Sequence, residues 1–227
     1  MPSIYPLTTD GGVINFITGS PAWADVRDKV DGTVVGTTAT TLSVEATVLS
    51  GKGTGFVVRR SFFEFDTSSI TATLASATFK LNMSAATNNC RTIMVKSTAF
   101  TSSGNLHADD FNNLDFSTPY SGESGIDGGG SQAIFDFTLN ATALADIKND
   151  DSLKIALINF DYDYSNHAPS AANRCTHITG DQSGVNRPEI EYALAPFYGN
   201  KVTAVPPANI SKVDGVATAN IEKVIGV

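Results

Sequence analysis

Residues 75 to 83 alternate strictly in character. Ala75, Ala77, Phe79, Leu81 and Met83 fall on one side, and Ser76, Thr78, Lys80 and Asn82 fall on the other. A period of two marks a strand with one face on a core and one face in water, and a helix cannot satisfy it. The run Phe56 to Phe65 differs in kind. It carries Phe63 and Phe65 on one face and Phe56, Val58 and Phe62 on the other, so both faces need cover and the strand is expected to be central.

Further strands are expected at 13–18, 41–48, 91–96, 132–138, 152–160 and 189–194. The last is introduced by Pro188 and alternates Ile190, Tyr192 and Leu194 with Glu189, Glu191 and Ala193. Glycines at 51, 53 and 55 punctuate the chain, and a Gly/Ser/Asp/Asn-rich passage at 101–131 reads as a surface excursion of the kind that carries binding. One helix is expected at Ala141 to Asn149, behind an Asn140 or Thr142 cap, with Leu144 and Ile147 on its inner face. About eight to ten short strands with one small helix imply an all-β fold, an antiparallel β-sandwich of jelly-roll type.

Composition narrows the partners. Among 227 residues only 17 % are charged while 41 % are hydrophobic, which is enough apolar material for a core over most of the chain. A formal net charge of −8 removes the counterion-release driving force for nucleic acid. No stretch reaches the roughly 20 apolar residues that span a bilayer. The opening Met1 to Pro6 shows neither the basic nor the apolar region of a signal peptide, so manufacture in the cytoplasm is the expectation. Cys90 and Cys175 can make at most one bridge. In a reducing compartment two separate buried thiols are expected first, and an inter-strand disulfide second.

After Leu194 the texture changes. The body occupies 1–194, a linker with Pro196, Pro206 and Pro207 follows at 195–207, and a duplicated peptide fills 208–227. Ala208-Asn-Ile-Ser-Lys-Val-Asp-Gly-Val216 recurs eleven residues on as Ala219-Asn-Ile-Glu-Lys-Val-Ile-Gly-Val227, with seven of nine positions identical. Two such units cannot bury a core of their own. Their Ile, Val and Lys suit strand addition to an exposed sheet edge, which makes Ile210, Lys212, Val213, Gly215, Val216, Ile221, Lys223, Val224, Gly226 and Val227 the candidate docking residues. A disordered or locally hairpinned tail is the other reading.

Two resemblances follow from particular motifs. Arg60-Ser-Phe-Phe-Glu-Phe-Asp66-Thr-Ser-Ser-Ile70, then Ser76-Ala-Thr-Phe-Lys-Leu81, the segment Leu139 to Ile147, and Asn186-Arg-Pro-Glu-Ile-Glu-Tyr192 together resemble the DNRLRE-type jelly-roll domains, which are related to carbohydrate-binding modules. The resemblance covers roughly residues 10 to 194, although the eponymous string does not occur. The terminal repeat resembles the Ile-x-Lys-Val-x-Gly-Val tails of tailed-phage virion proteins. Together they imply a non-enzymatic virion component: a capsid decoration, head fibre or tail accessory anchored by its C-terminal repeat to other virion proteins. Such a component could self-associate as a homo-oligomer and aid adhesion to a host surface glycan. The alternative is a carbohydrate-binding module of a surface or secreted system.

The remaining candidates are sparse. Trp23, Tyr120, Tyr162 and Tyr164 stand in loop-like positions where a ring could stack on a sugar. Asp161 and Asp163 can offer two oxygens on one strand face to a calcium ion that wants roughly six to eight, so no metal is expected. Glu64 and Asp66 form a weak glycosidase-like carboxylate pair, with Asp66 better suited to ordering the following turn. Arg60, inside an apolar strand, is expected to be paired and structural. His107, His167 and His177 lack ligand spacing, and no cofactor fingerprint is present.

Overall fold

The structure, a computed structural model, describes residues 1–17, 19, 21–35, 38–49, 55–100, 105–125, 131–180, 187–195, 212–213 and 216–217. It is an all-β antiparallel sandwich. The strands are β1 (Ser3–Ile4), β2 (Gly11–Ile17), β3 (Thr33–Val35), β4 (Thr41–Leu49), β5 (Gly55–Asp66), β6 (Leu74–Thr87), β7 (Arg91–Ser97), β8 (Leu114–Pro119), β9 (Ser124–Gly125), β10 (Ser131–Thr138), β11 (Ser152–Asn159), β12 (Asn173–Ile178) and β13 (Glu189–Leu194). All thirteen belong to one branched hydrogen-bonded sheet, whose main path runs β1-β13-β6-β12-β4-β5-β11-β7-β8.

The branch point is β5. Strand β2 lies along residues 56–62 on one edge, while β4 (along 55–59) and then β11 (along 61–66) share the other. The continuation through β4 folds back over the continuation through β11, and a core fills the space between. Alternation assigns the side chains. Phe63 and Phe65 of β5, Leu153, Ile155 and Leu157 of β11 and Met94 of β7 meet Phe79, Leu81 and Met83 of β6, Phe137 of β10 and Ile190 of β13. Helix α2 (Ala141–Asn149) closes this core with Ala143 and Ile147, and Asn140 Oδ1 caps it by accepting from the Ala143 amide at 3.1 Å.

The opposite face of β5, β7 and β11 is apolar too. Val58, Phe62, Ile93, Val95, Ala156 and Ile158 form a second cluster with Trp23 and Val26 of the short helix α1 (Trp23–Arg27), Phe100, Leu106 and Phe111. Adjacent Phe62 and Phe63 are both fully buried, on opposite faces. Each is worth roughly 1.5–3 kcal/mol, so a one-residue slip of β5 only exchanges equals, and apolar pattern alone cannot set its register.

Polar contacts set it instead. Arg60, fully buried on the second-cluster face, gives Nε and Nη2 to the two oxygens of Asp163, each at 2.8 Å. Its Nη1 donates to Phe111 O and Asn112 Oδ1, and Nη2 also to Arg27 O. All five N–H donors are thereby engaged, and the Phe111 ring lies 4.1 Å from the guanidinium carbon. Arg27 stacks on Phe116 and donates to the Asp163 carbonyl oxygen at 2.7 Å. One buried cluster thus ties β5 to α1, to the 3-10 turn Ala108–Asn112 and to the π-helical turn Phe160–Tyr164.

The passage 101–131 therefore departs from its expected role. Of its described residues, Leu106, Phe111 and Tyr120 are core anchors, and Leu114–Pro119 is a strand. Two other short segments missed by the pattern, Trp23–Arg27 and Asn173–Ile178, also prove structured. Asp66 orders the turn after β5, accepting from Ser68 N and Oγ, while Glu64 is held by Ser152 Oγ at 2.7 Å; the two carboxylates form no catalytic pair.

On the other face, His177 is sealed. Its Nδ1 lies 3.0 Å from Ile178 O, which can only accept, so Nδ1 carries the proton and Nε2 accepts from Ser61 Oγ at 2.7 Å. Burial pushes its pKa down to about 4.

Two predictions follow from these buried groups. Asp163→Ala strands the Arg60 charge and should cost about 3–5 kcal/mol in urea unfolding, whereas Lys29→Ala, at an exposed pair with Asp31, should leave the midpoint unchanged; equal effects would contradict the central role of Arg60. His177 stays neutral when folded while its unfolded counterpart takes a proton near pH 6.5. Stability should therefore be fully present above about pH 6.5 and fall by about 3 kcal/mol as the pH drops towards 4, and His177→Gln should flatten that part of the urea-midpoint profile against pH.

Candidate functional site

The turn between β6 and β7 reads Asn88-Asn89-Cys90, and its two asparagines hold φ values of 54° and 46°. Asparagine tolerates this left-handed region better than other residues with a side chain. Cys90, next in line, is joined by a disulfide to Cys175 of β12, with the Cα atoms 5.7 Å apart. The first expectation, two separate thiols, is overturned. It failed because the strand carrying Cys175 has no apolar alternation to reveal it.

Amides pack around the bridge. Fully buried Asn159 donates to Asn173 Oδ1 at 2.6 Å, contacts Cys90 Sγ at 3.7 Å and accepts from Tyr162 N at 3.0 Å. Asn173 Nδ2 continues to Asn88 O at 2.7 Å, and Asn88 Nδ2 to Ala172 O at 2.7 Å. The Asn159 cap starts the π-helical turn, which extends Asp161 and Tyr162 beside Asn88, Asn89, Arg91 and Asn173. These six residues line an open polar cleft of about 690 Å³.

Charge in the cleft is already paired. Arg91 Nε donates to Asp161 Oδ1 at 2.9 Å, its Nη1 lies 3.7 Å from Glu123, and its guanidinium carbon sits 4.8 Å from the Phe160 ring, on which Tyr164 stacks. Two carboxylates against one guanidinium disfavour a phosphate or sulfate ligand. Amide and carboxylate edges with one tyrosine ring are a set that hydroxyl-rich, uncharged ligands can use.

The expected aromatics separate sharply. Tyr162 lines the cleft and Tyr164 is half-buried on Phe160. Trp23 is turned into the second cluster against Phe56, with ring centroids 5.4 Å apart. Tyr120 is buried with its hydroxyl on Asp146, which also accepts from Lys96 at 2.8 Å; burial, aided by that carboxylate, pushes the Tyr120 phenol well above its ordinary range. Both rings are spent on packing, although Tyr120 also borders a separate cleft with Lys96, Asp150 and Ser152.

Asp161 and Asp163 do not form a calcium pair either. The π-helical turn replaces the expected strand alternation and sends them apart, Asp161 to Arg91 at the surface and Asp163 to Arg60 in the interior. Among the described residues no group of three or more His, Cys, Asp or Glu side chains could hold a metal. Ser61 and His177 have the spacing of a nucleophile and base, but both are sealed from solvent and substrate.

Of the docking candidates, Lys212, Val213 and Val216 fall in a separate two-stranded ladder, β14 (Lys212–Val213) with β15 (Val216–Ala217), paired Lys212 to Ala217 and Val213 to Val216. That ladder pairs Lys212 and Val213 of the first copy with Val216 and with Ala217, the residue just beyond it. Ile210, Gly215, Ile221, Lys223, Val224, Gly226 and Val227 lie outside the described residues, as does the linker beyond Ala195. No described helix is long and apolar enough to cross a membrane. No protein-family model matches the chain, and no curated protein proves similar to it.

The bridge closes a sequence separation of 85 residues, which constrains the unfolded chain and adds about 2–4 kcal/mol of stability. The double variant Cys90→Ser, Cys175→Ser should unfold correspondingly earlier in urea. Addition of a reductant during unfolding should bring the wild type to the same midpoint and leave the variant where it is.

Proposed function

We propose that this chain is a non-enzymatic structural protein of a tailed-phage particle, a β-sandwich body fastened to other virion proteins by its C-terminal repeat. The observation that carries the reading is the duplicated nine-residue segment after a proline-containing linker. A β-prone peptide that cannot bury a core of its own needs a surface to dock on, and its Ile-x-Lys-Val-x-Gly-Val form resembles the tails of virion proteins. The body agrees with a structural role. Its buried Ser61, His177 and Asp163 are engaged in internal hydrogen bonds and an ion pair.

A second reading, a carbohydrate-binding module of a surface or secreted system, is favoured by one specific observation. The polar cleft beside the Cys90–Cys175 bridge offers Tyr162 with amide and carboxylate edges, and disulfides persist in oxidising surroundings. The two readings meet if the particle-bound protein also contacts a host surface glycan.

Particles assembled with the chain ended at Ala195 should lack the protein after density-gradient purification, while particles made with the full chain retain it. Equal retention would remove the repeat as the anchor. On a glycan array, binding by the full chain that is lost in Tyr162→Ala would move the balance to the second reading.

A further inference from the structure

Strand β10 presents one edge that no described strand covers. Its eight residues, Ser131–Thr138, pair with β6 along one side, and among the described residues no strand pairs with the other. Natural sheets cover, twist or charge such edges, because an open row of N–H and C=O groups templates the addition of another strand. Here the outward face of the edge shows Ile134, 61 % exposed, next to exposed Asp136, whereas Phe135 and Phe137 turn inward. An exposed isoleucine on an open edge invites an occupant.

The charge around that edge states what kind of strand fits. Asp136 stands opposite Lys80 of β6, and Lys80 stands opposite Glu189 of β13 and is held by Glu191 at 2.8 Å. Three carboxylates therefore surround one ammonium, and an incoming strand with a cation flanked by aliphatic residues complements them. The second copy of the repeat supplies this as Ile221-Glu222-Lys223-Val224-Ile225. Isoleucines stand two residues to either side of Lys223. Once Lys223 is opposite Asp136, either strand direction places an isoleucine beside Ile134.

We propose that the second copy of the repeat docks in cis as an added strand on the outer edge of β10, with Lys223 opposite Asp136. This rests on the reading of the repeat as a docking peptide and names its resting place on the body. The cis arrangement is favoured over a neighbour's tail because the body's last strand, β13, and β10 lie on the two edges of the same strand β6. The chain from residue 196 to residue 220 easily spans so short a distance and holds the peptide at roughly millimolar effective concentration. The first copy, engaged in its own β14–β15 ladder, is left out. Docked, the repeat covers the edge that would otherwise aggregate; released, it is available to a partner on the particle.

Hydrogen exchange of the full chain, read on peptides covering 131–138, tests this, with sedimentation velocity run in parallel. The wild type should be monomeric with β10 amides protected. Lys223→Glu should speed their exchange about three- to tenfold, Asp136→Lys should do the same, the two together should restore protection, and Lys212→Glu should change nothing. Four results would overturn the proposal: β10 exchange indifferent to Lys223→Glu, an equal effect of Lys212→Glu, failure of the paired reversal to restore protection, or a concentration-dependent oligomer abolished by Lys223→Glu, which would assign the edge to a neighbour's tail. Loss of particle attachment in Lys223→Glu with unchanged β10 exchange would leave the anchoring role standing while removing this site.

Discussion

The Arg60–Asp163 pair is the constraint on which the rest of the molecule depends. A guanidinium buried in an apolar strand costs several kcal/mol unless every donor is met, and here the partners come from segments far apart in sequence: α1, the 3-10 turn, and the π-helical turn that follows β11. Each segment alone is too short to persist in water. Their carbonyls and the Asp163 carboxylate converge because Arg60 offers five fixed donors in one plane, and the second apolar cluster is roofed as a consequence. The charge therefore specifies the arrangement of a cover that hydrophobic burial would hold in many ways.

The opposite face of β5 uses a neutral device. Ser61, one residue on from Arg60, bonds the sealed His177 of β12, so adjacent positions of one strand fix its relation to both layers. Burial keeps the imidazole uncharged at neutral pH, which lets the strand sit inside the sandwich at little electrostatic cost. The cleft beside the disulfide is built in the same manner, its amides bonded into a chain before any ligand arrives.

What can be read from the amino-acid order depends on who satisfies each side chain. Strands β5, β6, β10, β11 and β13 and helix α2 are legible because their inward positions are apolar, and solvent and core sort them at the expected period. Strand β12 is not. Its inward positions are Asn173, Cys175 and His177, which look like loop residues until Asn159 of β11, Cys90 of the β6–β7 turn and Ser61 of β5 meet them. For the same reason Asp163 resembles its neighbour Asp161 in sequence while the two serve different regions, and Tyr120 resembles a surface aromatic while it closes the core. In the cleft, Tyr162 could be flagged beforehand, but its meeting with the Asn88-Asn89 turn could not, since it depends on a helical turn with an uncommon hydrogen-bond span.

That turn makes the length of one segment immutable. Five residues, Phe160–Tyr164, present Asp161 and Tyr162 outward and Asp163 inward. Deleting any one of them rotates the remainder by about a quarter of a revolution and aims a tyrosine, or the wrong aspartate, at Arg60. Loops elsewhere on the sandwich can gain or lose residues over generations and diversify what the surface meets. The rim of this cleft can change only by substitution, so any descendant that keeps the interior charge keeps the cleft's outline as well.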